Sequence, residues 1–400
     1  MAAQPSNIDT DDAGPNRRGK PRLLYLSTDL TSFLSHKKPV ADAAVQAGYD
    51  VIVAGSWPGP AFVPGQYEFE IVEIDWRRAP TMFAALLRVV PDILRVRRLL
   101  RVLRPDLLHN IDLKPAIIGS LAAGGLPVKI VNSINGLGFA FVDTSLLSRL
   151  VRWGCGLVLR RAQWASAAAT VVQNKDDAAV LSEKLGLAVE TIHVIRGSGV
   201  DPRDFDVAPI PDGPPNFLVL SRLLHIKGIH VAVEALRRVR ARGTPATLTI
   251  AGAPDPGNPS SVDAATLARW SSADGVTLTG QVADVRPLIA RSLAVIQPSL
   301  GGEGLPKSLL EAAAGGRALI ATDVPGNREI VVDGQTGLSV PPDDAEALSA
   351  AMEAAAARPE TCRKWGLAAR EKAAAEFATS LICRQHLALY RRIVALDSRG

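Results

Sequence analysis

The sequence predicts an α/β protein of two doubly wound domains with a cleft between them. Three observations carry that prediction. At 400 residues the chain exceeds what one hydrophobic core usually serves. Short apolar runs alternate with amphipathic stretches along almost all of it, and strands alternating with helices form parallel sheets covered on both faces. The alternation pauses at the proline-rich PIPDGPP, residues 209–215, and then begins again.

Residues 1–20 are polar, contain Pro, Gly and Asn, and lack any period, which predicts a disordered tail. The first domain, 21–200, holds strand-like runs at 23–28, 50–55, 69–74, 107–110, 128–134, 170–174 and 191–195. Helical periodicity fills 36–47, 82–104, 145–164 and 175–185 between most of them. The second domain, 201–379, repeats the scheme with strands at 216–222, 246–252, 276–280, 293–299 and 318–323. Its helices are 228–242, 306–315, 343–357 and 360–375. A last helix, about 380–396, fits on either domain and is a candidate to complete the first. Such sheets bind ligands beyond the carboxyl ends of their strands, which places the expected site in the cleft.

Composition narrows the function. Apolar residues make up 47% and charged residues 21%, an ordinary soluble balance. The net charge is only +5, but from Arg77 to Arg161 there are 14 Lys or Arg against 4 acids. A basic half of this kind suits an acidic substrate, an anionic membrane surface or nucleic acid. No nucleic-acid motif accompanies it. Three cysteines, Cys155, Cys362 and Cys383, form no disulfide or metal-ligand spacing and imply a reducing, cytoplasmic setting. No stretch has the length and apolarity of a membrane span, so any membrane contact is expected to be peripheral.

Two segments can do chemistry. PSLGGEGLPKSLLEAAAGG (298–316) leaves a buried strand, passes a glycine-rich loop and enters a helix. Free backbone N–H groups and the dipole at such a helix start attract anions. Glu303 in the loop and Glu311 on the helix flank that start, where they can grip sugar hydroxyls. The alternative is a tight turn with two solvated acids. In LSRLLHIKG (220–228), Arg222 and Lys227 straddle the first strand-to-helix turn of the second domain, within reach of a diphosphate. The alternative there is a basic surface loop.

Other residues remain open on spacing alone. His109 ends a strand at the cleft edge and is either an acceptor contact or a satisfied core histidine. Lys114 follows it in the basic half as a candidate phosphate ligand. His36, Lys37 and Lys38 open a helix, where cations oppose the dipole, which favours a functional role. Gly136 and Gly138 form a lone G-x-G. Asp9/Asp11 and Asp204/Asp206 match Asp-x-Asp but fall in the tail and the interdomain linker, so no metal and no cofactor is expected. The basic, Leu/Val/Trp-containing helix 145–164 either lies on an anionic membrane or covers the core, and 88–104 is equally basic.

Together these segments resemble the retaining enzymes of glycosyltransferase family 4, which have the GT-B fold of two Rossmann-like domains. The resemblance runs from about residue 22 to 395 and rests on Glu303/Glu311, on R-x-x-x-x-K-G from Arg222 to Gly228, and on GSGVD at 197–201. It implies that Glu303 contacts the transferred sugar, with Gly304 and Leu305 as backbone donors to sugar or phosphate. Glu311 would bind the ribose, Arg222 and Lys227 the diphosphate, and Gly280 and Val282 would lie by the base. Gly199 belongs to the donor-side GSGVD segment. Ser221 departs from the glycine often found before the arginine.

In the first half, SHKKPVADAAVQAGYDV (35–51), HNIDLKPAIIGSLAA (109–123) and INGLG (134–138) resemble a subgroup that extends glycans on undecaprenyl diphosphate. That subgroup includes bacillosamine-lipid α-1,3-N-acetylgalactosaminyltransferases. His36, His109, Lys114, Asn135, Gly136 and Gly138 are the acceptor-side candidates. Ile111 stands where many family members carry a histidine, so that residue's role does not transfer. The resemblance implies a UDP-sugar donor, a polyprenyl-diphosphate-linked acceptor and a cytoplasmic enzyme at the inner face of the plasma membrane. The alternatives are a soluble sugar acceptor, or a non-catalytic sugar-nucleotide-binding subunit.

Overall fold

In this computed structural model residues 19–57, 66–76, 82–136, 146–166, 168–255, 258 and 260–395 are described. The tail expected at 1–20 falls outside them except for Gly19 and Lys20, and Gly138 also lies outside.

The first sheet contains β1 (Arg22–Asp29), β2 (Asp50–Ser56), β3 (Glu70–Glu73), β4 (Leu107–Ile111), β5 (Lys129–Ile134), β6 (Ala169–Val172) and β7 (Ile192–Val194). Its seven strands are parallel in the order β3-β2-β1-β4-β5-β6-β7. The second contains β8 (Asn216–Leu220), β9 (Thr247–Ala251), β10 (Val276–Gly280), β11 (Ala294–Gln297), β12 (Ala318–Thr322) and β13 (Gly337–Val340). Its six strands are parallel in the order β10-β9-β8-β11-β12-β13. In each sheet the winding reverses once, between β1 and β4 and between β8 and β11. Doubly wound sheets bind ligands beyond the carboxyl ends at that reversal. The loops there begin at Asp29, Asp112, Ser221 and Pro298.

The central strands are buried on both faces and therefore read as continuous apolar runs, LLYL in β1 and AVI in β11. Helices pack on both sides. The final helix, Thr379–Ala395, returns to the first sheet, where Ile382, Leu389, Tyr390 and Ile393 join the cluster of Leu23, Tyr25, Val40 and Ala44. The outgoing and returning chain segments are tied together: Val200 N–H donates to Phe377 O at 3.0 Å and Thr379 N–H to Val200 O at 3.1 Å.

Several elements escape the sequence reading, among them the short helices Leu30–His36, Ala264–Ser271, Arg286–Ala290 and Pro325–Arg328. Two others do so for clear physical reasons. The helix Leu113–Ala123 (LKPAIIGSLAA) is buried around most of its circumference, between the helices Met82–Leu103 and Leu146–Ser166, so it has no polar face to reveal a 3.6 period. The edge strand β13 is four residues long and begins at Gly337, whose φ of +159° and contact with the Leu319 carbonyl leave no room for a side chain.

Candidate active site

The loop after β11 and the turn after β8 meet at the reversal of the second sheet. Glu303 is buried, 9% exposed, and its Oε1 is the focus of three donors. Lys227 Nζ lies at 2.6 Å, Gln297 Nε2 at 3.0 Å, and Ser299 Oγ makes a short hydrogen bond. Burial alone would push this carboxyl up. Lys227 and the three hydrogen bonds outweigh it and hold the group below its ordinary range, so Glu303 is a carboxylate. Ser308 Oγ donates to Gln297 Oε1 at 2.9 Å, which fixes the amide so that its NH₂ faces Glu303.

The turn works because Gly228 follows Lys227 in the left-handed region, with φ +65°, and a side chain there would strike the Pro298 carbonyl. Lys227 is thus brought against the β11 loop. Arg222, more exposed, pairs with Asp255 at 2.8 Å. The helix Lys307–Ala314 starts directly after Pro306, whose carbonyl takes the Leu309 N–H at 3.2 Å, and the start of such a helix attracts anions. Glu311 lies 3.6 Å from Lys307. Burial raises its pKa and Lys307 opposes that rise. Val282 packs against the apolar cluster that contains Leu305 and Leu309, and Gly280, at φ +70°, turns the chain after β10.

The first domain closes over this loop. A side chain on Gly136 would meet the Gly302 carbonyl at 2.9 Å, and one on Gly304 would run into Asn135 O and Gln173 Oε1. Asn174 Nδ2 donates to Gly304 O at 3.1 Å, and Leu305 N–H donates to Gln173 Oε1 at 2.7 Å. Lys307 Nζ donates to Ser35 O at 3.1 Å. His36, bonded through Nδ1 to Ser32 O at 2.9 Å, faces Lys307 and Arg222. Burial first, and then those cations, lowers its pKa, so His36 is a neutral imidazole near neutral pH. Lys37 beside it is fully buried and pushed down to about 8, with Asp112 pulling the other way. Asp112 itself sits at φ 78°, ψ 166°, a strained conformation of the kind that clusters at functional sites.

Several sequence expectations change. His109 is not an acceptor contact: it is wholly buried, with Nδ1 at 2.7 Å from Tyr390 Oη and Nε2 at 2.6 Å from Ser133 Oγ. A side chain on Gly199, at φ +75°, would strike the Thr379 backbone, so this glycine lets the chain return between the domains. In this conformation the Leu305 N–H is already taken by Gln173. Lys114 pairs with Asp92 at 3.3 Å and lies 4.9 Å over the Trp76 ring. Asp204 and Asp206 are exposed on the linker. Among the described residues no three His, Cys, Asp or Glu converge as a metal site.

Gln173, Asn174, Asp112 and Lys307 were missed. For the first two a signal existed: TVVQN ends a strand with two amides at the carboxyl edge, one of them an N-cap for the helix Lys175–Ala179.

Comparison with known proteins agrees with the geometry. Residues 40–203 match the model "Glycosyltransferase Family 4" and residues 214–358 match "Glycosyl transferases group 1". Over 201 residues the chain is 32% identical to the glycogen synthase of Mycobacterium tuberculosis, covering 49% of this chain and 47% of that one. It is 33% identical over 162 residues to the phosphatidyl-myo-inositol mannosyltransferase of Mycolicibacterium smegmatis, covering 39% and 40%. The chain thus spans less than half the length of these curated relatives. Among solved structures it superposes on Anabaena Alr3699/HepE in complex with UDP, with TM-score 0.72, 16% identity and coverage of 93% and 100%. The chain thus carries a glycosyltransferase family 4 domain at 40–203 and a glycosyl transferases group 1 domain at 214–358, arranged as in the GT-B fold.

Proposed function

We propose that the protein transfers a sugar, with retention of configuration, from a UDP-sugar to a sugar carried on a polyprenyl diphosphate. The observation that carries this reading is the buried Lys227–Glu303 pair at the reversal of the second sheet, beside Arg222 and a helix N-terminus. Without substrate, Lys227 and Glu303 satisfy each other. With donor bound, Lys227 and Arg222 take the diphosphate, the Glu303 carboxylate takes hydroxyls of the transferred sugar, and Glu311 takes the ribose. The UDP-bound Anabaena neighbour supports the nucleotide.

Gln297 and Ser299 hold the Glu303 carboxylate beside Lys227, which suits it to bind sugar hydroxyls, and no carboxylate is assigned as nucleophile. Front-side attack fits it best. The bond from the anomeric carbon to the phosphate oxygen breaks while the acceptor oxygen bonds to the same face. The acceptor proton passes to the departing phosphate oxygen. The residues contribute positioning and charge neutralisation.

The acceptor and the choice of an N-acetylhexosamine rest on the subgroup resemblance, supported by surface character. The helix Met82–Leu103 exposes Leu87, Val90 and Leu94, and Leu146–Ser166 exposes Leu150, Trp153, Leu157 and Trp164. Both helices pack on the same central helix, so the two stripes lie in one layer. Exposed Arg88, Arg98, Arg101, Arg149 and Arg161 accompany them, a pattern suited to an anionic interface. No helix among the described residues is long and apolar enough to cross a membrane.

The test is a mass-spectrometric screen of UDP-sugars against polyprenyl-diphosphate sugars and soluble sugars, run beside Lys227→Met. Product on the lipid-linked acceptor from wild type alone supports the reading. Product only on soluble sugars overturns the acceptor, and no turnover of any UDP-sugar overturns the activity.

A further inference from the structure

The sugar-side loop is held from two directions. Its own domain fixes the Glu303 side chain through Lys227, Gln297 and Ser299. The opposite domain fixes the backbone of the next two residues. Gln173 Oε1 accepts from Leu305 N–H and Asn174 Nδ2 donates to Gly304 O, both buried. The contact continues across the carboxyl edge of the first sheet. Gln173 Nε2 donates to Asn135 Oδ1 at 2.8 Å, and Asn135 Nδ2 donates to Asp112 Oδ1 at 2.8 Å. Every amide in this relay has a defined direction, because Asp112 can only accept and Leu305 N–H can only donate. The fit is close on both sides. A Cβ on Gly304 would collide with Asn135 and Gln173, and one on Gly326 would collide with Gly304 O from beneath.

We infer that Gln173 and Asn174 are positioning residues: they set the sugar-binding loop from the acceptor domain, so that the donor sugar is correctly held only when the domains are closed. The inference builds on the transferase reading above. The nucleotide contacts, Arg222, Lys227 and Glu311, all belong to the second domain. A nucleotide therefore binds without the relay, whereas the loop that carries Glu303 reaches its working geometry through it. Misplacing a reacting group by about 1 Å costs on the order of 100-fold in rate. Opening the domains releases Leu305 N–H and Gly304 C=O together.

Three variants and three readouts test this. Gln173→Ala removes both arms of the relay. Gln173→Glu keeps an acceptor for Leu305 N–H but loses the donor to Asn135. The double variant Asp112→Asn/Gln173→Glu restores a donor at one end and an acceptor at the other, with Asn135 reversed between them. Expected in Gln173→Ala are a fall in kcat of about 100-fold, a UDP dissociation constant within about twofold of wild type, and loss of hydrogen-exchange protection at the Leu305 amide in leucine-labelled protein. The double variant should recover kcat above Gln173→Glu alone. Wild-type kcat in Gln173→Ala, an equal loss of UDP affinity, or unchanged protection at Leu305 would overturn the inference. The exchange readout needs no substrate. If wild type turns over no UDP-sugar while Gln173→Ala still frees the Leu305 amide, the transferase reading falls and the latch on this loop stands.

Discussion

At the reversal of the second sheet the charged groups are paired with one another, from the buried Glu303 with Lys227 to the half-buried Lys307 with Glu311 and the exposed Arg222 with Asp255. At the reversal of the first sheet the polar groups are sealed. His109 and Tyr25 of the sheet and His386 and Tyr390 of the final helix are all wholly buried and touch one another. The second region keeps charge where a ligand can displace one partner. The first spends its polar groups on docking a helix and leaves recognition to its surface, which is basic and apolar. On the proposed function, donor chemistry would be local and side-chain encoded, whereas acceptor selection would rest on loops and exposed faces.

The largest effect should follow from Lys227→Ala. Its removal takes away a diphosphate contact and leaves a buried carboxylate uncompensated. Turnover should fall by about 100-fold or more, since a charged hydrogen bond contributes roughly 1.5–3 kcal/mol and further contacts are lost with it. Breaking a buried pair also costs about 3–5 kcal/mol of stability, and Lys227→Met/Glu303→Gln should recover much of that. The pH dependence changes sign. In wild type the folded Glu303 has a pKa below its ordinary 4.5, so its contribution is present above that value and fades as pH falls. Without Lys227, burial raises the pKa, the folded state binds more protons, and stability declines as pH rises past the ordinary value. Thermal denaturation across pH 3–7 (about neutral down to acid, by linkage) reads both slopes, and parallel curves would contradict the pairing.

The sealed region should respond in stability and not in kinetics. His109→Phe strands Ser133 Oγ and should cost about 1–3 kcal/mol, with an unchanged acceptor KM. Among the described residues His386 finds no hydrogen-bond partner at either ring nitrogen. Burial holds both histidines well below their ordinary 6.5, so the unfolded state takes up protons first and stability is lost as pH falls through 6.5. His386→Phe should remove part of that loss, by at most about 1.4 kcal/mol per pH unit. A raised acceptor KM in His109→Phe would return this residue to the acceptor site.

Smaller still is the surface effect. Trp153→Glu/Trp164→Glu should weaken binding to anionic liposomes several-fold at low salt, and each exposed arginine removed should cost about 1 kcal/mol near the surface. Activity on a long polyprenyl acceptor should drop more than activity on a short soluble analogue. Equal loss on both, or no liposome binding by wild type, would leave the apolar stripes to another partner. EDTA should change nothing, since charge neutralisation is assigned to Arg222 and Lys227; activity restored only by Mn²⁺ or Mg²⁺ would reverse that.

The same contrast explains what the sequence disclosed. Parallel sheets show as apolar runs because both faces are covered, so twelve of the thirteen strands were legible. The Glu303 and Arg222–Lys227 segments were legible because strand, turn and charged residue are contiguous. Gln173 and Asp112 were not, because their roles depend on a contact 132 residues away and on a backbone angle. His109 was ambiguous for a related reason: a histidine at a strand end looks the same whether a substrate or Tyr390 meets it. The helix Leu113–Ala123 was hidden by burial on nearly all sides.

The claim that joins these parts is transfer with retention at the Lys227–Glu303 centre. The anomeric configuration of the product, read by NMR from an α-linked UDP-N-acetylhexosamine and a polyprenyl-diphosphate sugar, tests it most directly. An α-linked product is expected from wild type and none above background from Lys227→Met. A β-linked product, or undiminished α product from the variant, would contradict it.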